Sequence, residues 1–357
     1  MPGRINCFRM DGQQTAAGDS AASVAGQTMG GAVILARAFR GPIEEAVIRG
    51  HIAVVASDGA LMAWAGNPRA VSTLRSSFKP FQATSFVESG TADALGLGDA
   101  SIAIAGASHH GEPAHLEVVR AILAAASVPE SALQCGVHLP SDPAAAAALL
   151  AGGEQPTAIH NNCSGKHAAM LAVCAHRGWP LETYLDRHHP LQEEIAARLG
   201  RNADLDPAII PYGIDGCGLP TFGLPIEDFA RALSHAAATD PGFRRCLGAM
   251  AAHPFLVAGT NAFDTVVMED EGTSLVVKSG AAGILAALAR DGSRAVVVKL
   301  ESGAPLGLAQ IAARAFELAG LLNRPMPPRL QAYLDEPTRN WVGSAVGEIR
   351  ADFELRS

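Results

Sequence analysis

Three lysines of this chain stand beside small, hydroxyl or thiol residues, where a freely solvated cation has little reason to be. In "RSSFKPF" Ser76 precedes Lys79 by three positions, so one helical turn sets both side chains on the same side. Pro80 fits such a start, because the first turn tolerates its missing N–H. A serine hydroxyl is a weak nucleophile until a base takes its proton. A lysine kept neutral by burial or by neighbouring cations is such a base. A helix N-terminus adds favourable electrostatics for developing negative charge. The same short pattern also reads as an N-cap serine followed by a solvated lysine.

The second lysine is in "VVKSGAAG", where Lys278, Ser279 and Gly280 end an apolar, strand-like run. In serine acyl-transferases of the penicillin-binding and β-lactamase type, a K-S/T-G triplet on an edge strand lies opposite the S-x-x-K serine. The bland alternative is a charged strand end and a glycine turn. "GASHHGEPAH" places Ser108, His109 and His110 in a Gly-flanked loop after the apolar run "SIAIAGA", read here as a strand. Such a loop presents a hydroxyl freely, which makes Ser108 a second nucleophile or a proton shuttle for Lys278. His115 reads as a capping or surface residue.

The third lysine, Lys166, lies in "NNCSGKHAAM" with Cys163 and His167. Asn161, Asn162 and Ser164 are cap formers for the apolar helix that follows, but capping accounts for neither Cys163 nor Lys166. A second Gly-rich loop, "YGIDGCGLPTFGLP", carries Cys217 and offers backbone N–H groups to an oxyanion or carboxylate. Two thiolates with one or two further donors suit zinc. Fifty-four residues separate the two cysteines and no C-x-x-C occurs, so two unrelated buried thiols remain an open reading.

The elements that must position these groups follow from the pattern of the chain. Its 357 residues, 48% apolar, supply a sizeable core. A net charge of −8 with no run of Lys or Arg argues against a nucleic-acid partner. The absence of a long apolar stretch or signal-peptide pattern gives no membrane partner and a cytoplasmic expectation. The six scattered cysteines read as thiols. Residues 1–29 form a small-residue polar tract expected to be a disordered extension. The remainder, 30–357, is expected to be a single unit: a sheet-containing lobe from 30–76 and 261–357, and a mostly helical lobe from 77–260. Short apolar runs from residue 32, with Asp58-Gly59 as a hairpin turn, predict antiparallel strands. Ala-rich segments at 113–127, 143–151, 165–177, 190–200 and 226–239 predict helices. Strands return with "DTVVMED", "TSLVVKSG", "GILAALAR" and "RAVVVKLE", then a helix at 305–320 and a last strand near "SAVGEIRADFEL". The fold class is α+β: an antiparallel sheet from both chain ends, with flanking helices and an inserted helical lobe.

Taken together, "RSSFKPFQ", "ASHHGEPAH", "NNCSGKHAAML", "GIDGCGLPTFGLP" and "VKSGAAG" resemble the rhizobial-type (class 3) L-asparaginases over about residues 30 to 355. That family is similar in fold to serine β-lactamases and glutaminases. The resemblance implies hydrolysis of L-asparagine to L-aspartate and ammonia through two Ser-Lys pairs, Ser76 with Lys79 and Ser108 with Lys278, with Ser76 favoured as the acylated residue. It implies a zinc site formed by Cys163, Lys166 and Cys217 that modulates the chemistry, and a homodimer. It further implies substrate contacts from Arg75, His109, Asn162, His167, Gly216 and Gly280. The alternatives are a glutaminase or other β-lactamase-like serine amidohydrolase, and a non-catalytic, zinc-stabilised binding protein.

Overall fold

A computed structural model of the chain describes residues 29–322 and 325–357. The expected extension over 1–29 therefore lies outside the described residues, apart from Met29. Eleven strands are described: β1 (Val33–Arg40), β2 (Ile43–Ala56), β3 (Leu61–Ala65), β4 (Val71–Thr73), β5 (Tyr212–Ile214), β6 (Pro220–Pro225), β7 (Leu275–Gly280), β8 (Ile284–Ala289), β9 (Arg294–Leu300), β10 (Thr338–Arg339) and β11 (Ala345–Ala351).

Eight of them form one antiparallel sheet drawn from both ends of the chain, in the order β10-β11-β1-β2-β9-β8-β7, with β3 pairing on β2. Two pairings join the ends: β2 with β9, Gly50 opposite Leu300 through Ala56 opposite Arg294, and β1 with β11, Ala36 opposite Ala351 through Arg40 opposite Gly347. Strands β8 and β9 are buried along nearly their whole length, which explains why they read as continuous apolar runs rather than alternating ones. The helix Ile226–Thr239 packs on β2 and β9, and the helix Leu308–Leu318 on β9, β11 and β1. Among the described residues no helix is long and apolar enough to cross a membrane.

Most of the helices lie, along the chain, between the two sets of strands that form the sheet. The helix Lys79–Glu88 is buried over eight consecutive residues, Lys79 to Phe86. The helix Ser164–Arg177 is buried from Ser164 to Cys174. Helices hidden all round belong at the centre of a core, and these two form the axis of the helical lobe. Beneath the start of the first, Phe78 stacks on Phe81 at 5.4 Å between ring centroids and meets Phe222 edge-on at 5.5 Å, while Phe81 lies 4.7 Å from Phe243. Each such ring contributes roughly 1.5–3 kcal/mol by burial, so the turn that carries Ser76 is anchored from below.

Three expectations are corrected. "DTVVMED" lies in a helix, Phe263–Glu271, and not in a strand. The run ahead of Ser108 is likewise a helix, Asp99–Ala105. The Gly-rich stretch 212–225 contains β5 and β6, which with β4 make a small second sheet in the order β4-β6-β5. The helical lobe thus has its own ribbon, and that ribbon positions the Ser76 turn.

Candidate active site

Strand β4 pairs with β6, and the pairing extends one step as Leu74 N–H donates to Phe222 O at 2.8 Å. Arg75 then leaves the strand with φ +45°, a left-handed conformation that costs a non-glycine residue about 1 kcal/mol or more. Thr221 Oγ1 accepts from Arg75 N–H at 3.1 Å, and Asp215 Oδ1 accepts from Arg75 Nε at 2.8 Å. Ser76 follows in a 3₁₀ turn, Arg75–Phe78, that runs into the helix beginning at Lys79. Arg75 is thus the hinge that aims Ser76, and Asp215 ties it to the loop carrying Cys217.

Strand β7 is the end strand of the large sheet, and its tip packs on this turn. A Cβ added to Gly280 would lie 3.0 Å from Ser77 N and 3.2 Å from Ser76 N. Glycine therefore keeps open a small cradle against two N–H groups at the start of a helix, which lack intrahelical partners by position. After Gly280 the chain turns through Ala282 at φ +61°, fixed by Lys299 Nζ donating to Ala282 O at 2.8 Å.

Ser108 is held from two sides: its N–H donates to Val257 O at 2.9 Å, and the N–H of His109 donates to Asn162 O at 3.1 Å. Lys79 Nζ donates to Ser108 Oγ at 2.9 Å and also to Ala107 O. Ser76, Ser108 and Lys278 line one cavity of about 500 Å³, together with His110, Asn162 and Asp264. The contact of Lys79 is therefore with Ser108, not the expected Ser76. Among the described residues the Ser76 hydroxyl has no hydrogen-bond partner. Lys278 donates to Ser279 O at 2.7 Å and lies 3.7 Å from Asp264 Oδ2, so its near partner is a carboxylate rather than Ser108. A larger groove of about 680 Å³ around Arg187, Ile209 and Tyr212 contains none of these groups.

The lysines are fully buried, and burial disfavours their charged forms. Burial lowers the proton affinity of Lys79, the Cys163 sulfur opposing and the Lys166 charge reinforcing that trend. Burial also lowers Lys278, against the pull of Asp264, to about 8.

The sulfur cluster is built just behind. Asn161 Oδ1 accepts from Cys163 N–H at 2.8 Å, while its Nδ2 donates to Cys135 O at 2.8 Å. A Cβ on Gly165 would sit 2.4 Å from Ile104 O, so only glycine lets this helix approach the helix Asp99–Ala105 and carry Lys166 inward. Gly218, at φ +85°, turns the opposite loop, with its N–H donating to Asp215 O at 2.9 Å. Cys217 is thereby brought to 3.1 Å from Lys166 Nζ. The two thiols share a hydrogen bond, which together with the charges of Lys79 and Lys166 holds Cys163 well below the usual thiol range against the opposing effect of burial. The same bond and burial push Cys217 up. The two thiols are thus shifted in opposite directions. For Lys166 burial acts downward, but the two sulfurs outweigh it and the net shift is upward.

No group of three His, Cys, Asp or Glu arranged for a metal occurs among the described residues; the third donor here is a lysine. Two adjacent sulfurs and an amine fit zinc in ligand type. Lys166 must lose its proton to take part, since the sulfurs favour its ammonium form.

Four expected substrate contacts, Arg75, His109, His167 and Gly216, are not among the residues lining the cavity. His109 is buried, with Nε2 2.9 Å from Ser164 Oγ, Nδ1 accepting from Gly111 N–H at 3.2 Å, and the ring stacked on His115. Its neighbour His110 lines the cavity instead. His167 is buried with Nδ1 2.7 Å from Tyr184 Oη and with no partner on Nε2. Asn162 and Gly280 line the cavity; Gly216 lies on the Asp215 turn, its N–H donating to Asp215 Oδ1 at 2.7 Å. His115 caps its helix as read, accepting from Glu112 N–H. The sequence reading missed Asp264, Asn261 and Tyr333. Of the five non-glycine residues with positive φ among the described residues, Arg75, Asn261 and Ala282 sit at or beside the cavity.

A family profile described as L-asparaginase II matches residues 36–351. A comparison with curated proteins found no match. Among solved structures, similarity was found to a β-lactamase from Mycobacterium bovis, at 15% identity over 76% of this chain and 94% of that one, with a TM-score of 0.42. Mglu in its native form is similar at 14% identity over 78% of this chain and 66% of that one, with a TM-score of 0.34.

Proposed function

The chain belongs to the L-asparaginase II family, and from that premise we propose that it hydrolyses the side-chain amide of L-asparagine through a serine ester, with two buried lysines as proton carriers. Family membership makes the protein an amidohydrolase and sets aside the non-catalytic zinc-protein alternative. The observation that carries the finer reading is the 2.9 Å contact of buried Lys79 with Ser108 in a cavity also lined by Ser76 and Lys278.

Ser76 is the acylated residue in this proposal. Its hydroxyl is unengaged, it sits in a helix-start turn, and the cradle beside Gly280 offers the N–H groups of Ser76 and Ser77 to the oxyanion of the tetrahedral intermediate. The Ser76 proton passes by way of Ser108 to the Lys79 amine. Collapse of the intermediate then delivers a proton to departing ammonia. Water attacks the aspartyl ester and regenerates Ser76. Lys278, whose near partners are Ser279 O and Asp264, supplies the second amine on the cavity wall and relays the returning proton. Burial lowers the proton affinity of both amines, helped by the Lys166 charge at Lys79 and by the Lys79 charge at Lys278.

Cys163, Lys166 and Cys217 would hold zinc in this reading. When bound, the ion supplies a fixed positive charge behind Lys79. Activity is expected to fall on chelation without disappearing, because the serines already provide the nucleophile. A homodimer in the cytoplasm belongs to the same proposal. Support comes from five buried free thiols and from the exposed edge strand β5, whose Tyr212 and Ile214 a second copy would cover.

The test is ammonia release from asparagine and glutamine side by side, before and after chelation, by the native protein and Ser76→Ala. The expected result is a preference for asparagine, with a loss of roughly 10⁴-fold or more in the variant. More efficient turnover of glutamine would overturn the substrate assignment.

A further inference from the structure

The cavity contains a buried carboxylate to which the reaction above gives no role. Asp264 occupies the second position of the helix Phe263–Glu271 and is 3% exposed. Both of its oxygens are committed to the tip of β7. Oδ2 accepts from Ser279 N–H at 2.8 Å, and Oδ1 accepts from the Ser279 hydroxyl. The same Oδ2 lies 3.7 Å from Lys278 Nζ, which donates to the Ser279 carbonyl at 2.7 Å. One carboxylate from a different element thus grips the backbone and side chain of the residue after the lysine while its charge faces the lysine itself. The segment leading into it turns at Asn261, φ +56°, and lines the same cavity through Ala262 and Phe263.

Accepting one N–H and one hydroxyl takes two oxygens, but does not by itself call for their charge to face a buried lysine. A buried ion pair is also a poor source of net stability. We infer that Asp264 is a positioning residue of the amidase site, clamping the Lys278–Ser279 turn against the cavity and biasing Lys278 toward its charged form, so that it sets the pH range in which the neutral amine is available. The inference rests on Lys278 being one of the two reacting amines.

The groups facing Lys278 come from four elements. Asp264 belongs to the helix Phe263–Glu271, Lys79 to the helix Lys79–Glu88, and Cys163 caps the helix Ser164–Arg177. Tyr333, from the helix Pro328–Leu334, lines the same cavity. Burial acts downward on Lys278, Asp264 upward, the charge of Lys79 downward and the Cys163 sulfur upward, leaving a value of about 8. Removing Asp264 deletes the largest upward influence, so the ammonium is lost at lower pH.

The experiment is the pH dependence of kcat/KM for asparagine in the native enzyme, Asp264→Asn and Asp264→Glu, each checked for a native thermal transition. A limb that rises through about 8 is expected in the native enzyme. In Asp264→Asn that limb moves to lower pH by about one unit or more. Its plateau also falls, with the loss in kcat rather than KM, because the carboxamide has one acceptor for two donors. Asp264→Glu keeps the charge, and its limb stays near the native position. Should the asparagine variant not fold, Asp264→Ser, smaller and uncharged, is read in the same way. A folded neutral variant with the native limb overturns the inference. Failure of the native enzyme to release ammonia from asparagine would instead remove the amidase reading beneath it.

Discussion

Lys79 and Lys166 are both buried, at 0% and 2% exposure, and both lie beside the Cys163 sulfur, yet their surroundings drive them in opposite directions. Lys79 reaches a carbonyl and a hydroxyl, Ala107 O and Ser108 Oγ. Neither carries a charge that offsets the desolvation of an ammonium, so the proton affinity of Lys79 is lowered. Lys166 reaches Cys217 Sγ at 3.1 Å and feels both sulfurs, so its proton is retained. Burial alone therefore does not make a lysine a base; the charge of its partners decides. In the proposed reading, one side of the helical core moves protons and the other holds a cation.

Exchanging each lysine for an isosteric apolar residue separates the two sides most sharply. Lys79→Met is expected to reduce kcat/KM by roughly 10³-fold or more, because it removes the proton acceptor beside Ser108. Lys166→Met is expected to cost far less activity and to abolish stoichiometric zinc binding, as read by metal analysis of the purified proteins. Equal losses of activity would erase the distinction. Cys163→Ala, studied in chelated protein by denaturant titration, removes the sulfur held below the usual thiol range and leaves the Lys166 ammonium without that partner. A destabilisation of about 3 kcal/mol is expected. Gly165→Ala should destabilise by about 1–3 kcal/mol, since the new Cβ meets a backbone oxygen that must shift. Its effect should reach zinc affinity before asparagine turnover.

The elements themselves were largely legible in the chain. Helices 143–151 and 226–239 have the bounds that their caps and terminators predicted, Asp142 Oδ1 accepting from Ala145 N–H ahead of Pro143. The two-ended sheet followed from where the apolar runs lay. Two kinds of feature were not legible. "DTVVMED" carries Val266, Val267 and Met268 in a cluster that satisfies a strand or a helix period equally, and packing against β7 decided for the helix. In 212–225, Pro220, Gly223 and Pro225 spoke against strands, yet β6 is buried and paired on both sides. For the site, spacing brought out the three lysines and the two cysteines, but not which lysine meets which serine. That depends on how the loop after Ala107 sits against the helix Lys79–Glu88, a long-range packing outcome. Asp264 had no signal, because its partners on β7 are fifteen residues away across a fold boundary.

The most direct test of the central claim is rapid acid quench of the enzyme during asparagine turnover, followed by peptide mass spectrometry. An aspartyl ester on the peptide containing Ser76 is expected, absent in Ser76→Ala and accumulating when Lys79 is replaced by a weaker base that slows deacylation. An ester on Ser108, or steady turnover with no ester on any serine in a protein that still exchanges labelled water into aspartate, would contradict it.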